Sequence, residues 1–217
     1  MMQTEICKLC FKDIKDNSIN AILGKKYSLC PNCYKRLEPK FLSFKVDGVS
    51  GISIYEYNDD LKGLIYQFKG CYDFELKDIF LDRFKWAIKA RFYDYLAVPV
   101  PSYKDDDLIR EFNHVEEAFK GLGMKYAKVI EKTKKIKQSD QHKNDRAKIG
   151  NFLRIVNGEQ IYKKKILLVD DIFTTGSTIK ACISLLKQYQ PKKIKVLVLC
   201  KTTLKEHIAK SNINKLY

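Results

Sequence analysis

Two stretches of this chain carry residue types at spacings that can do chemistry. The first runs Ile166-Leu167-Leu168-Val169-Asp170-Asp171-Ile172-Phe173-Thr174-Thr175-Gly176-Ser177-Thr178. Four apolar residues make a buried strand, and two carboxylates stand at its carboxyl end, where α/β proteins place ligands. The turn that follows opens a helix. Its backbone N–H groups, its Thr and Ser hydroxyls and the helix N-terminus together suit one phosphate monoester. Beside such an anion, Asp170 and Asp171 accept hydrogen bonds from two adjacent hydroxyls, as on a ribose, or orient a hydrated Mg²⁺. The stretch holds neither GxxxxGKS/T nor GxGxxG, which disfavours hydrolysis of a nucleoside triphosphate.

The second stretch holds two CxxC pairs, Cys7 with Cys10 and Cys30 with Cys33, with 19 residues between them. Each CxxC turn sets two thiolates on one side of a knuckle, and two knuckles close a tetrahedral shell around Zn²⁺. Four thiolates leave no open coordination position, so such a zinc is structural. The alternative is two separate redox pairs, which the matched spacing disfavours. Cys71, Cys182 and Cys200 remain; Cys182 and Cys200 sit in apolar surroundings and read as inert core. The four-cysteine segment is locally basic, which a solvated face explains as well as nucleic-acid binding does.

The elements that position these residues follow from periodicity and breakers. Residues 52–55 read as a short strand, and 59–69 as an amphipathic helix with Leu61, Leu64, Ile65 and Phe68 on one face. A second helix is expected over about 74–92, a strand over 96–100 and a helix near 108–120. Strand 166–169, a helix to Gln190, the breaker Pro191 and strand 194–199 form one βαβ unit, so these two strands should be parallel. The fold class is therefore α/β: a mostly parallel sheet flanked by helices, plus a small N-terminal four-cysteine module. The expected division is 1–40 for the zinc finger and 41–217 for the α/β domain, with the boundary near residues 38–44. The 217 residues, 45% hydrophobic and 12% aromatic, suffice for a packed core and argue against disorder. No apolar run approaches the length of a bilayer span and no signal peptide is visible, so a soluble cytoplasmic protein is the expectation.

The stretch 166–178 resembles the phosphoribosyl-pyrophosphate (PRPP) motif of the type I phosphoribosyltransferases. That resemblance implies that Thr174, Thr175, Gly176, Ser177 and Thr178 bind a 5′-phosphate. It puts Asp170 and Asp171 on the ribose, and Mg²⁺ on the pyrophosphate. Further markers narrow it: the four-cysteine finger, Phe68-Lys69-Gly70, Val98-Pro99-Val100-Pro101, the run from Arg110 to Glu116, Gln138-Ser139, Arg146 and Asn151-Phe152. This ordered set resembles the ComF (ComFC-type) competence proteins over nearly the whole chain. Two departures stand in the run from Arg110 to Glu116: Glu111 replaces the family's usual Gly, and His114 replaces Gln.

The net charge of +15 calls for a polyanionic partner without choosing one. Between residues 120 and 150 lie ten basic and three acidic residues, just upstream of the PRPP strand. In the transferase fold a mobile loop closes over the pyrophosphate from this position, which makes Gln138, Ser139 and Arg146 candidate pyrophosphate or lid contacts. Lys104, which follows the strand end at Pro101, and Arg110 are further candidates for the pyrophosphate. A solvated surface and a single-stranded DNA track are the other readings of the same charge. The resemblance implies a protein of natural transformation that binds PRPP or a ribose-phosphate and single-stranded DNA in the cytoplasm, with a DNA-uptake helicase or other competence protein as a further partner. The rival is an active phosphoribosyltransferase with a base or other nucleophile as acceptor. For that rival the base position would fall to the zinc finger and the C-terminal tail, neither of which shows an evident base pocket, and no residue stands out as a catalytic base.

Overall fold

The computed structural model describes residues 6–14, 27–102, 108, 111–133 and 152–202. Lys104, Arg110, Gln138, Ser139 and Arg146 lie outside them, and with them the candidate lid.

After the first cysteine pair, Pro31 at the first turn starts α1 (Pro31–Leu37). β1 (Pro39–Val46) and β2 (Val49–Glu56) follow as an antiparallel hairpin. Asn58 caps α2 (Asp59–Gly70) by accepting the Leu61 N–H, and Asp59 and Asp60 in the first turn favour its dipole. The expected single helix over 74–92 is instead a 3₁₀ turn (Phe74–Asp78), a run of turns and α3 (Lys85–Arg91). Its apolar spacing still works: Leu76, Ile79, Phe80 and Ile88 are all buried, while Ala87 is exposed. The break frees Asp82 and Arg83 to turn toward the cysteine segment. β3 (Tyr95–Pro99) comes next, then α4 (His114–Lys120), shorter than the expected 108–120 because Asn113 caps it through the Glu116 N–H. The short β4 (Ile130–Lys132) and β5 (Leu153–Ile155) pair antiparallel. A 3₁₀ turn (Gly158–Ile161) leads to β6 (Lys165–Phe173), α5 (Ser177–Lys187) and β7 (Lys193–Lys201).

The main sheet has the order β1-β2-β7-β6-β3, with every pair parallel except β1–β2. β6 and β7 are parallel, as the βαβ pattern requires. Along β6, Ile166 and Leu168 join one buried cluster with α5, while Leu167 and Val169 join another with α2 and α4. Both faces of the sheet are thus covered, the usual condition of central parallel strands. Among the described residues no helix is long and apolar enough to cross a membrane.

Among the described residues the cysteine segment has no core of its own. Cys7, Leu29, Cys33 and Leu37 are buried in the same cluster as Tyr55, Leu61 and Phe80. Asp82 accepts the Ser28 N–H at 2.6 Å, and the Arg83 guanidinium stacks on the rings of Tyr27 and Tyr34. Lys8 adds an ion pair to Glu75.

Candidate functional site

The four cysteine sulfurs of Cys7, Cys10, Cys30 and Cys33 lie within 4.8 Å of one another. A tetrahedral Zn–S shell with bonds of about 2.3 Å places its sulfurs about 3.8 Å apart, and Cys10 Sγ and Cys30 Sγ stand at 3.8 Å. Backbone N–H groups aim at the sulfurs, as a thiolate cluster requires; the Cys30 N–H donates to Cys7 Sγ at 3.3 Å. Burial acts to raise the Cys7 thiol, but the N–H groups of Cys30, Cys10 and Leu9 outweigh it and bring its pKa down to about 6. Burial and the three neighbouring thiols push Cys33 up. This donor set fits a tetrahedral metal ion with all four positions filled by protein. Cys182 and Cys200 are fully buried in the two cores, as expected, and Cys71 is exposed.

The carboxylates sit at the other end of the molecule's logic, on β6. This strand continues past the expected 166–169 to Phe173, so the acidic pair lies among its last residues. Alternation therefore sends the two side chains to opposite faces. Asp170 follows Ile166 and Leu168 onto the face that packs against α5. Asp171 faces α2 and α4: its Oδ2 accepts from Lys69 Nζ at 3.2 Å and from His114 Nε2 at 3.0 Å, and its Oδ1 from the Ile172 N–H at 2.7 Å.

The surroundings split the pair electrostatically. Burial pushes Asp170 well above the ordinary carboxylate range, and the negative charge of Asp171 adds to it. Burial acts the same way on Asp171, but the hydrogen bond from His114 and the charge of Lys69 overcome it and hold Asp171 well below that range. The protonated form is thus favoured at Asp170 and the ionised form at Asp171, a pair suited to offering adjacent ligand hydroxyls one donor and one acceptor.

The loop completes the arrangement. Gly176 is the N-cap of α5, with a left-handed φ of 72°. A Cβ there would fall 2.7 Å from the Phe173 ring. The first helical bond runs from the Lys180 N–H to the Gly176 carbonyl, so the N–H groups of Ser177, Thr178 and Ile179 have no partner within the helix. Thr174 and Thr175 are exposed, Ser177 and Thr178 half-buried, and the Thr175 and Ser177 hydroxyls lie 2.9 Å apart. The loop thus sets two hydroxyls side by side next to three N–H groups that have no partner within the helix. The substitution Gly176→Ala is expected to cost about 1–2 kcal/mol, from the strained φ and the Phe173 contact. That lowers the melting temperature by a few degrees, read by circular dichroism.

Lys69 and His114 belong to this site, and the motif at 166–178 alone does not reveal them. The available signals were the Phe68-Lys69-Gly70 marker at the end of α2 and the run that ends at Glu116. Glu111, in place of the family's Gly, adopts a left-handed φ of 64°, the conformation glycine tolerates best. At position 114 the family's Gln amide can make the same donation as the imidazole. His114→Ala leaves the buried Asp171 short of a donor, an expected loss of about 1–3 kcal/mol, whereas His114→Gln retains most of it; urea unfolding of both variants reads the difference.

Residues 108–213 match the family model of the phosphoribosyl transferase domain. Together with the mostly parallel sheet, this defines a phosphoribosyltransferase-type fold joined to a four-cysteine cluster. The chain is 32% identical over 176 residues to the competence protein ComFC of Streptococcus pneumoniae (strain ATCC BAA-255 / R6), a match covering 78% of this chain and 79% of the relative. The chain belongs to the ComFC family of competence proteins. A 47-residue segment is 45% identical to phosphoribosyltransferase domain-containing protein 1 of Xenopus tropicalis, covering 20% of this chain and 21% of that one. Solved structures give weaker matches. A purine phosphoribosyltransferase from Pyrococcus horikoshii Ot3 aligns at a TM-score of 0.36 and 24% identity, over 56% of this chain and 73% of that one. The hypoxanthine phosphoribosyltransferase of Staphylococcus aureus aligns at 0.35 and 12%, over 66% and 64%. The phosphoribosylpyrophosphate synthetase of Mycobacterium smegmatis aligns at 0.35 and 20%, over 54% of this chain and 31% of its own. The fold class rests on the strand order and the family match rather than on these partial superpositions.

Proposed function

We propose that this chain serves natural transformation by binding PRPP, or another ribose-phosphate, with Mg²⁺ at residues 170–178, and by handling single-stranded DNA in the cytoplasm. Residues 1–40 act as a structural zinc module and 41–217 as the ligand-binding domain. The observation that carries the reading is the arrangement at the end of β6: a split pair of carboxyls beside the bare N-terminus of α5, in a chain of the ComFC family. Asp170 and Asp171 take the ribose hydroxyls. Thr174, Thr175, Gly176, Ser177 and Thr178 take the 5′-phosphate, and Mg²⁺ arrives with the pyrophosphate. Lys69 leaves Asp171 to meet ligand phosphate, while His114 keeps the carboxylate in place. Lys104, Arg110, Gln138, Ser139 and Arg146 are the proposed pyrophosphate or lid contacts. In the natural host, a deletion strain complemented with Gly176→Ala is expected to transform at least an order of magnitude less often than one complemented with the wild type, at equal protein level. Equal frequencies would reject the site's role in transformation.

A second reading, phosphoribosyl transfer to an aromatic acceptor, is favoured by a cleft of about 750 Å³ next to the carboxylate. Tyr57, Ile65, Tyr66, Tyr72 and Ile172 line it, together with the same Lys69 that contacts Asp171. Among the described residues the cleft is built by α2, the residues flanking it and the end of β6, with none from the cysteine segment; the C-terminal tail lies outside the described residues. Release of pyrophosphate from PRPP in the presence of one member of a panel of bases would establish this reading, and silence across the panel would remove it.

A further inference from the structure

The amino end of the parallel sheet, opposite the phosphate loop, carries an unusual repeated pattern. The chain leads into β6 through Tyr162-Lys163-Lys164-Lys165 and into β7 through Tyr189-Gln190-Pro191-Lys192-Lys193, and it approaches β3 through Tyr93. The register sets these side by side: Tyr95 pairs with Lys165, and Lys165 with Lys193. Tyr93, Tyr162 and Tyr189 are among the exposed large side chains, at 81%, 48% and 38% exposure. Lys163, Lys164, Lys192 and Lys193 are exposed as well. Lys165 is held by an ion pair to Asp94. Glu159 lies just upstream, in the 3₁₀ turn before Tyr162.

The surface is fixed rather than loose. The Lys163 N–H donates to the Gln190 carbonyl at 3.1 Å and the Lys192 N–H to the Lys164 carbonyl at 2.8 Å, which ties the two turns together. Lys163 and Gln190 both hold left-handed φ values, 54° and 50°, that side-chain-bearing residues adopt at a cost. Lys163 Nζ already stands 5.0 Å from the Tyr162 ring centroid.

From this row of ammonium groups interleaved with exposed phenol rings, we propose that the amino end of the sheet is a binding surface for single-stranded nucleic acid. The lysines neutralise successive phosphates without regard to sequence. The rings offer stacking faces that only unpaired bases can use, because a duplex buries its base faces within the stack. Six residue steps along β6 lead from Lys165 to Asp171, about 20 Å of extended strand. The lysine–tyrosine surface and the ribose-phosphate site therefore occupy opposite ends of the strands and bind their ligands together. This rests on the single-stranded DNA part of the proposed function and gives it a location.

The test is fluorescence polarisation of labelled oligo(dT) with the zinc-loaded full-length protein across a salt series, with Mg²⁺–PRPP calorimetry on the same samples. The triple variant Lys163→Gln/Lys164→Gln/Lys192→Gln is expected to bind about ten-fold more weakly, and its log–log salt slope to be shallower by about 2, the release expected from three lost phosphate contacts on a single strand. Tyr93→Ala/Tyr162→Ala is expected to weaken binding while leaving the salt slope alone. Neither variant should alter the PRPP titration, and saturating PRPP should not displace the oligonucleotide. Wild-type affinity and slope in the triple variant would overturn the surface while leaving single-strand binding intact. Displacement by PRPP would overturn the separation of the sites. A wild-type protein that ignores oligo(dT) but binds anionic phospholipid vesicles would overturn both the surface and the DNA part of the function, while PRPP binding would stand on its own titration.

Discussion

Stripping the metal with a chelator, or replacing Cys33 by Ser, is expected to unfold the core that the cysteine segment shares with β2 and α2, and not merely loosen an N-terminal knuckle. A detached finger would melt alone. Here Cys7, Leu29, Cys33 and Leu37 contribute to the same buried cluster as Tyr55 of β2, Leu61 of α2 and Phe80, and Tyr55 donates its hydroxyl to the Phe80 carbonyl at 2.8 Å. Losing the cluster's geometry therefore opens the core over one whole sheet face. Structural zinc contributes an apparent binding energy of about 10–16 kcal/mol near neutral pH. Whole-domain stability is only about 5–15 kcal/mol. Metal removal should consequently abolish the cooperative transition seen by circular dichroism. Arg83 should matter for the same reason, because its guanidinium lies between the rings of Tyr27 and Tyr34. An unchanged transition after complete metal removal would show that the four cysteines are dispensable to the core.

The acidic pair should respond oppositely to the same substitution. Asp170→Asn removes a carboxyl whose ionised form is disfavoured by burial and by Asp171, so the folded protein should be no less stable at neutral pH. Asp171→Asn removes the partner of Lys69 and His114 and should cost about 1–3 kcal/mol. The pH dependence has two opposing parts. Asp171 has a depressed pKa in the folded state, so its contribution is present above the unfolded carboxylate value of about 3.9 and is lost as pH falls below it. Asp170 has a raised one, so its contribution is present in acid and is lost as pH climbs past about 3.9 toward the raised value. Wild type thus combines an acid-side loss with an alkaline-side loss. Asp171→Asn should remove the first and Asp170→Asn the second, which urea midpoints measured across pH will separate. Both variants should weaken ribose-phosphate binding, although only Asp171→Asn should weaken the fold.

Much of this was legible along the chain because local pattern and tertiary role coincide. The βαβ unit from Ile166 to Leu199 could be read from an apolar run, a Gly-containing turn and Pro191, all within one stretch. The cysteine cluster was likewise written in spacing alone. What escaped depends on partners far apart in sequence. The break in the expected 74–92 helix goes with a contact from Asp82 to Ser28, 54 positions away, that no local pattern announces. β1 escaped because it is an irregular edge strand with Phe41 exposed, a positive φ at that residue and a register shift between Pro39 and Leu42, so no alternation marks it. β4 and β5 are three residues each, too short to show a period. Lys69 and His114 reach Asp171 only after α2 and α4 pack on the same face of β6. The opposite orientation of Asp170 and Asp171 is implicit in strand alternation, yet it becomes visible only once the strand is known to run through both residues to Phe173.

The central claim is that residues 170–178 bind a ribose-phosphate. Calorimetric titration of Mg²⁺–PRPP into the zinc-loaded wild type, and into Asp170→Asn/Asp171→Asn shown to be folded by its melting transition, tests it most directly. The account expects a saturable one-site heat in the wild type that the double variant has lost. Equal binding by both proteins, or none by the wild type, would contradict it.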